Sequence, residues 1–490
     1  MNKERVKKNT TLQKQRVSTR SHTIRSGYRP RTIHAVGLGG GRGLMHVTFP
    51  AFRELGWTST LSVTTFGTGG SSLMIKELLE PFFGYTFSVG NLAAAYTQAL
   101  ERPEVELVFG HRIDWDDRRR LFDIVEDRIE SLNKAKQIPA ISRALFNRLC
   151  RIAKTIDHDL QTGRFGPTLN LYGHSIQNLV LLWHLLRFGV FRSRNQVHSP
   201  SLGRALAALQ KFFGLRSPHI LPVSVEPGVL VARYSHAISS RIARETKIPS
   251  LYWSKSKRTI IGEYYIDILN AASPIQDFSI VHPGTPLERR TRQPSVYPAV
   301  RNALRQAKII VAGGGSFYTS ILANLAVGGV LDELLLRQDV PRILILNPYH
   351  LNQTVSHRLH DFTQRVETLA RRVVSDTAKE QHGGRIAFKN LFSDVIINDA
   401  TATRKESKEG RRILYAMNAK KSGEARGPIP LTREEKQRIR ASGVFLHSGH
   451  FVGITPKDVK APRGDVFHIA GYKPTNIARV FHKIAQRFES

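Results

Sequence analysis

The sequence predicts an α/β protein: a Rossmann-like, mostly parallel sheet with helices on both faces, helical insertions and a basic N-terminal extension. Three observations predict it. Short apolar runs alternate with helical stretches, as in successive βαβ units. Three of those runs end in glycine-rich turns that lead into helices. The chain has 490 residues, 41% of them hydrophobic, enough for a large core and too many for wholesale disorder.

In chain order, Thr32 to Val36 reads as a strand running into Gly37-Leu-Gly-Gly-Gly-Arg-Gly43, with a helix from about Met45. Leu61 to Thr65 is a second strand; it opens into Gly67-Thr-Gly-Gly-Ser-Ser72, and a helix starts near Leu73. Asp117 to Cys150 is mostly helical with a charged outside, and Ser175 to Phe188 and Leu202 to Phe213 are apolar helices. Ile220 to Val225 and Val229 to Tyr234 read as a strand pair turned by Pro227-Gly228. Lys308 to Ala312 is a strand, followed by Gly313-Gly-Gly-Ser316 and a helix from about Tyr318 to Arg337. Arg342 to Leu346 and Asp394 to Asn398 are further strands. The expected organisation is a basic arm over 1–31 and an α/β domain over 32–400, largely helical over 117–215. A basic insertion follows over 401–430, and 431–490 returns to the same domain.

Charge restricts the partners. Lys and Arg total 73 against 39 Asp and Glu, a net charge of +34. Such an excess repels itself unless a polyanion is near, and nucleic acid is the abundant one. The first 34 residues carry ten bases and one acid, so +9 of the +34 lies there and +25 remains elsewhere. That start fits a mitochondrial presequence or an arm lying on RNA, and the nucleic-acid arm is the favoured expectation. The expected nucleic-acid contacts are Arg16, Arg20, Arg25, Arg118, Arg119, Arg120, Arg192, Arg194, Lys255, Lys257, Arg258, Arg411, Arg412, Lys420 and Lys421. No aromatic RNA-binding signature accompanies them, so recognition of backbone and shape is expected. The single cysteine, Cys150, excludes an intramolecular disulfide and a Cys-rich zinc site. The longest apolar stretch, Leu179 to Leu186, is too short to span a bilayer, and no membrane partner is expected.

The glycine turns carry the chemistry. Glycine lets backbone N–H groups approach a phosphate, and a following helix N-terminus adds partial positive charge. The first turn departs from the dinucleotide fingerprint at Arg42, and the chain has no Gly-Lys dipeptide for a Walker loop.

These turns bear a family resemblance. Val36-Gly-Leu-Gly-Gly-Gly-Arg-Gly-Leu44 resembles the opening of the CofD-like superfamily. Gly67-Thr-Gly-Gly-Ser-Ser-Leu73 stands where that family has DDGGSSG, and Gly173-His-Ser-Ile-Gln-Asn178 is similar to its GHSxGN. Ile220 to Leu230 resembles its VLPAT strand pair, and Phe467-His468 echoes its HDP ending. Ala307-Lys-Ile-Ile-Val-Ala-Gly-Gly-Gly-Ser-Phe-Tyr-Thr-Ser-Ile-Leu-Ala-Asn324 resembles ADLIVLGPGSLYTSIIPN, the most specific match. The family contains 2-phospho-L-lactate transferases, which move a phospholactyl group from a guanylyl donor to a deazaflavin alcohol. It also contains YvcK-type gluconeogenesis factors, which bind a UDP-sugar. The resemblance implies a phosphate-rich ligand, a nucleotide or UDP-sugar, at the carboxyl edge of the sheet. The implied contacts are Gly39, Gly40, Gly41, Gly43, Gly70, Ser71, Ser72, Asn91, His174, Asn178, Gly313, Gly315, Ser316, Thr319, Ser320 and Asn324.

Departures from the pattern matter for mechanism. The two adjacent aspartates are Gly67 and Thr68 here, and GDIRN becomes Phe87-Ser-Val-Gly-Asn91. A diphosphate with a divalent metal needs carboxylate ligands, and arginine supplies the bidentate phosphate grip. The sequence therefore implies no catalytic residues and no metal site. Asp114, Asp116 and Asp117 are substitute acids or helix-start charges, and His357 with His360 and His447 with His450 lack a third ligand. The leading expectation is a catalytically degenerate CofD-like protein, not an enzyme, that binds RNA in a ribonucleoprotein. The particle would be a mitochondrial ribosome or its assembly machinery, with rRNA and ribosomal proteins as partners. The alternative is an active transferase or a nucleotide-sugar-binding regulator of the YvcK type, with a cytoplasmic location if not mitochondrial.

Overall fold

The computed structural model describes residues 33–67, 70–114, 119–134, 143–163, 173–193, 195–237, 258–269, 274–283, 293–348, 350, 354, 357–399, 429, 431–455 and 469–489. The expected arm over 1–31, most of the 401–430 insertion and Phe467-His468 lie outside them.

Strand β1 (His34–Gly39) leads through Gly40 into α1 (Gly41–Gly43), a π-helical turn π1 (Leu44–Thr48) and α2 (Phe49–Glu54). The strand is longer than its sequence suggests, because Gly37 and Gly39 pair with Leu61 and Val63 inside the sheet. Next come β2 (Thr58–Val63), α3 (Gly70–Phe83), α4 (Gly90–Gln98) and α5 (Pro103–Phe109). The helical part holds α6 (Leu121–Lys134), α7 (Arg143–Gln161) and α8 (Ile176–Arg187). A short hairpin, β3 (Phe191–Ser193) and β4 (Gln196–Val197), precedes α9 (Ser199–Phe213). Helix α9 stops at Gly214, whose φ of 71° closes the helix in the left-handed conformation.

Strand β5 (His219–Pro222) pairs parallel with β2 in the main sheet. Strand β6 (Val229–Tyr234) instead lies between β7 (Thr259–Ile261) and β8 (Ile275–Val281) in a separate antiparallel sheet. The expected β5–β6 hairpin is therefore corrected. Gly228 is packed against the Phe66 ring and Ile280, so the chain crosses from one sheet to the other there. Helix α10 (Glu263–Ile268) follows β7, and α11 (Pro298–Gln306) precedes β9 (Ile309–Gly313). A second π-helical turn, π2 (Phe317–Leu322), runs into α12 (Ala323–Leu325). Gly329, at φ 95°, breaks the expected single helix before α13 (Val330–Leu336). The chain continues with β10 (Arg342–Ile345), α14 (Leu359–Val373), α15 (Asp376–Gln381), α16 (Phe388–Leu391) and β11 (Asp394–Asn398). It ends in α17 (Arg433–Ala441), β12 (Phe445–Gly449), the hairpin β13 (Val452–Thr455) and β14 (Ile469–Tyr472), and α18 (Pro474–Glu489).

The main sheet has the order β12-β11-β10-β9-β1-β2-β5, and every pairing in it is parallel. From β1 the chain moves through β2 to β5 in one direction, and from β9 through β12 in the other. Right-handed crossovers then put helices on opposite faces for the two halves. Strands β9, β10 and β11 are buried at every position, the mark of a sheet covered on both sides. The direction of winding reverses between β1 and β9. That is where an open α/β sheet leaves a crevice beyond its strand ends.

Candidate functional site

The crevice is framed by the turns after β1 and β9, and these two turns touch. A Cβ placed on Gly43 would overlap the carbonyl oxygen of Gly314, and one on Gly314 would overlap that of Gly43. Gly314 also has a φ of 76°, so glycine is required there for space and for conformation. Ser320 sits between the turns: its hydroxyl meets the Cβ position of Gly40 and lies 2.9 Å from that of Gly315. On the other flank, the carbonyl oxygen of Asn91 is 2.8 Å from the Cβ position of Gly41. Gly39, Gly40, Gly41, Gly43, Asn91, Gly313, Gly315 and Ser320 are thus brought together. Each of the helical segments that leave these turns contains a π-helical turn, π1 directly after α1 and π2 directly after Ser316, a rare form found often at functional sites.

The remaining residues expected here fall into two groups. Asn324 is buried and its amide donates to Gly39 O at 3.0 Å and Ser320 O at 2.7 Å, tying π2 to the end of β1. Thr319 donates to Ser316 at 2.7 Å, stabilising the start of the same turn. Gly70 opens α3, with Ser71 and Ser72 in its first turn. His174 and Asn178 are buried at the start of α8, where the Ile113 N–H donates to His174 O. That helix start is joined to α4 at Thr97, which donates to Gln177 at 2.7 Å, six residues past Asn91.

The end of β2 holds the residue that matters most for mechanism. Gly67 is buried, and a Cβ on it would meet Glu263 Oε2 and Ser88 Oγ, each at 2.9 Å. The carboxylate comes from the first turn of α10, held in place by the Gly262 N–H donating to Leu230 O at 2.8 Å. Nothing in the sequence connects Glu263 with Gly67, because the link is made by the small antiparallel sheet packing on Phe66. Ser88 N–H donates to Thr65 O at 2.8 Å, and its buried hydroxyl has no hydrogen-bond partner among the described residues. Lys76 on α3 shares this environment: burial pulls its ammonium down to about 8, while the Glu263 carboxylate acts to raise it. Asp114 is exposed, and Thr68, Asp116 and Asp117 lie outside the described residues.

The histidine pairs turn to different partners. His357 Nε2 is 2.7 Å from the Tyr318 hydroxyl, and burial pushes its imidazole down to about 4, so it is neutral at pH 7. His360 faces Asp361 at 3.4 Å and Glu435 at 3.5 Å. Among the described residues, no three His, Cys, Asp or Glu side chains gather to hold a metal.

Several of the expected nucleic-acid contacts are placed. Arg192 and Arg258 are exposed. Arg119 and Arg120 are exposed too, but they pair with Asp127 and Asp123. Arg16, Arg20, Arg25, Arg118, Arg194, Lys255, Lys257, Arg411, Arg412, Lys420 and Lys421 lie outside the described residues. The structure adds a stripe that sequence reading missed. Arg143, Arg151, Lys154 and His158 are exposed along one side of α7, and Arg479, His482 and Lys483 along α18. Helical periodicity was the available signal, with bases three, four or eight apart. No helix among the described residues is long and apolar enough to cross a membrane.

Comparison with known proteins gives three findings. Residues 101–426 match the family described as 2-phospho-L-lactate transferase CofD, a span that contains the turn after β9 but begins beyond Gly67. No curated protein sequence matches the chain. The fold is similar to a crystal structure of a Bacillus halodurans protein of the UPF0052 family, with a TM-score of 0.54 and 17% identity, covering 91% of this chain and 98% of that one. A second crystal structure from Bacillus halodurans gives a TM-score of 0.53 at 17% identity, covering 92% and 100%.

Proposed function

The chain belongs to the 2-phospho-L-lactate transferase CofD family, and we propose that within it this protein has lost transfer chemistry and binds RNA through phosphates. The observation that carries the RNA reading is the net charge of +34, of which +25 lies beyond the first 34 residues. The stripe on α7 supports it. Its four bases are spread over about 22 Å of helix from Arg143 to His158, and none of them has an acidic partner among the described residues. An RNA-rich particle is the matching setting: a mitochondrial ribosome or its assembly machinery, with rRNA and ribosomal proteins as partners. A filter-binding series over salt concentration tests it. The slope of log K against log salt should steepen by about 0.9 per phosphate neutralised on duplex and about 0.7 on single strands. A flat response, or no binding at low salt, overturns the reading.

Loss of transfer chemistry rests on Gly67. Metal-assisted transfer needs acids beside the phosphates, and among the described residues the carboxylate found beside Gly67, that of Glu263, shares its surroundings with the Lys76 ammonium. The double substitution Gly67→Asp with Thr68→Asp restores the two acids of the family pattern, the first of them beside Glu263. It is expected to create an affinity for Mg²⁺, seen by calorimetry, that the natural chain lacks. Equal Mg²⁺ affinity in both proteins would contradict the loss. One observation favours the second reading, a transferase or nucleotide-sugar-binding regulator: a carboxylate does reach the end of β2. Magnesium-dependent release of GMP from a guanylyl-phospholactate donor by the natural protein would establish that reading instead.

A further inference from the structure

Exposed apolar side chains scattered over a surface need no explanation, but two phenyl rings that share one cation are not scattered. Phe445 opens β12 and is 55% exposed; Phe488 lies in the last turn of α18 and is 38% exposed. The Arg487 guanidinium lies over both, 3.7 Å from the centre of the first ring and 5.2 Å from that of the second. On α18, Phe488 continues the apolar row of Ile477, Phe481 and Ile484. Those three are buried in the protein, whereas Phe488 is open to water.

The cation between the rings is fixed in place. Arg487 donates to both oxygens of the buried Asp394. His447, two residues along β12 and so on the same face as Phe445, meets that carboxylate at 2.7 Å. Asp394 thus orients the guanidinium and matches its charge. Bases without such a match border the pair. Arg479 and Lys483 are exposed one turn apart on α18, in the row that leads to Arg487, and the one acid of that helix is Glu489. Arg438 and Arg440 are exposed in the last turn of α17, which packs on β12. Among the described residues, none of these four bases has an acidic partner.

A nucleotide base offers a flat π-face to such rings, and the phosphates beside it offer negative charge to the surrounding bases. A base inside a duplex has no face to offer, so the fitting partner is single-stranded. We propose that Phe445 and Phe488, held by Arg487, form a stacking platform for unpaired bases of RNA. This rests on the reading that the chain binds RNA through phosphates. It adds that single-stranded stretches are gripped at the β12 edge of the main sheet, beside α18. The sequence shows no such platform, because the two rings come from elements far apart in the chain.

The test compares a single-stranded RNA with a duplex of the same length, by filter binding on the full chain. Phe445→Ala and Phe488→Ala are each expected to weaken single-strand binding about tenfold, the effect of one lost stacked base. Duplex affinity and the salt slope should stay unchanged, because no phosphate contact is removed. Phe488→Trp is expected to keep the affinity and to add an indole emission that the single strand quenches and the duplex does not. Phe488 is near the end of its helix, so its variants decide the matter where Phe445→Ala fails to fold. Single-strand affinity that survives both alanine variants overturns the platform and leaves the phosphate reading standing. An equal loss on duplex and single strand does the same. A natural chain that dimerises, and that Phe488→Ala turns monomeric with RNA affinity intact, makes the rings a protein contact and overturns the platform. No RNA binding by the natural protein at low salt removes the phosphate reading, and the platform with it.

Discussion

Replacing Asp394 by alanine is expected to cost about 3–5 kcal/mol, because it strips the partner from a charge held against the protein. Asp394 opens β11 with no exposed surface. Arg487 Nη2 donates to its two oxygens at 2.9 and 2.7 Å, Ser393 donates at 2.7 Å, and His447 Nε2 lies 2.7 Å away. The guanidinium of Arg487 also lies over the Phe445 ring, 3.7 Å from its centroid. Arg487 is on α18, and the same helix packs Phe481 on Phe52 of α2 at 5.5 Å. One carboxylate therefore fastens the last helix to the sheet, and through it to the helix that leaves the first glycine turn. Burial alone would push the Asp394 carboxyl up. The bonds from His447, Arg487 and Ser393 outweigh it and hold the group below the usual carboxylate range. A depressed value in the folded state means that this stabilisation is complete above the unfolded value of about 3.9 and is lost as pH falls through the folded one. Thermal melts from pH 7 to pH 2 check both points. Asp394→Asn should melt lower than the natural protein at pH 7, and the gap should close in acid. A gap that stays constant with pH would contradict the assignment.

Gly43→Ala is expected to destabilise by about 3 kcal/mol, the upper range for forcing extra atoms into a packed interior. Its new methyl would overlap the Gly314 carbonyl, which is backbone and cannot rotate away. Gly203→Ala is the matched control. Gly203 lies inside α9 with nothing within 4 Å of its Cβ position, so alanine there should stabilise by about 0.5–1 kcal/mol. Urea denaturation of the two variants should therefore move the midpoint in opposite directions. Equal and small shifts would mean that the turns after β1 and β9 are not in contact.

Most parallel strands were legible because strands buried on both faces are largely apolar. His34–Gly39, Ile309–Gly313 and Arg342–Ile345 are short runs of that kind between helices, apolar after the opening His34 and Arg342, whereas the polar start of β2, Thr58 to Thr60, escaped the sequence reading. The strand Asp394–Asn398 lies where the sequence placed it. The pairing of Ile220 with Val229 was misjudged because Pro227-Gly228 has the chemistry of a hairpin turn. Only packing against Phe66 shows that the chain leaves the main sheet at that point.

By itself the sequence determined the fold class, the three glycine turns at strand ends, the absence of aspartate at Gly67 and Thr68, and the basic excess. Each is a local or additive property: apolar periodicity, a backbone that needs glycine, a residue type, a sum of charges. The tertiary structure decided which turns meet, which arginines are already paired, and that the Glu263 carboxylate lies beside Gly67, nearly 200 residues earlier in the chain. Those facts depend on contacts between segments far apart in sequence. Side-chain charge acts over a few ångströms, whatever the distance along the chain, so only the folded arrangement can assign it.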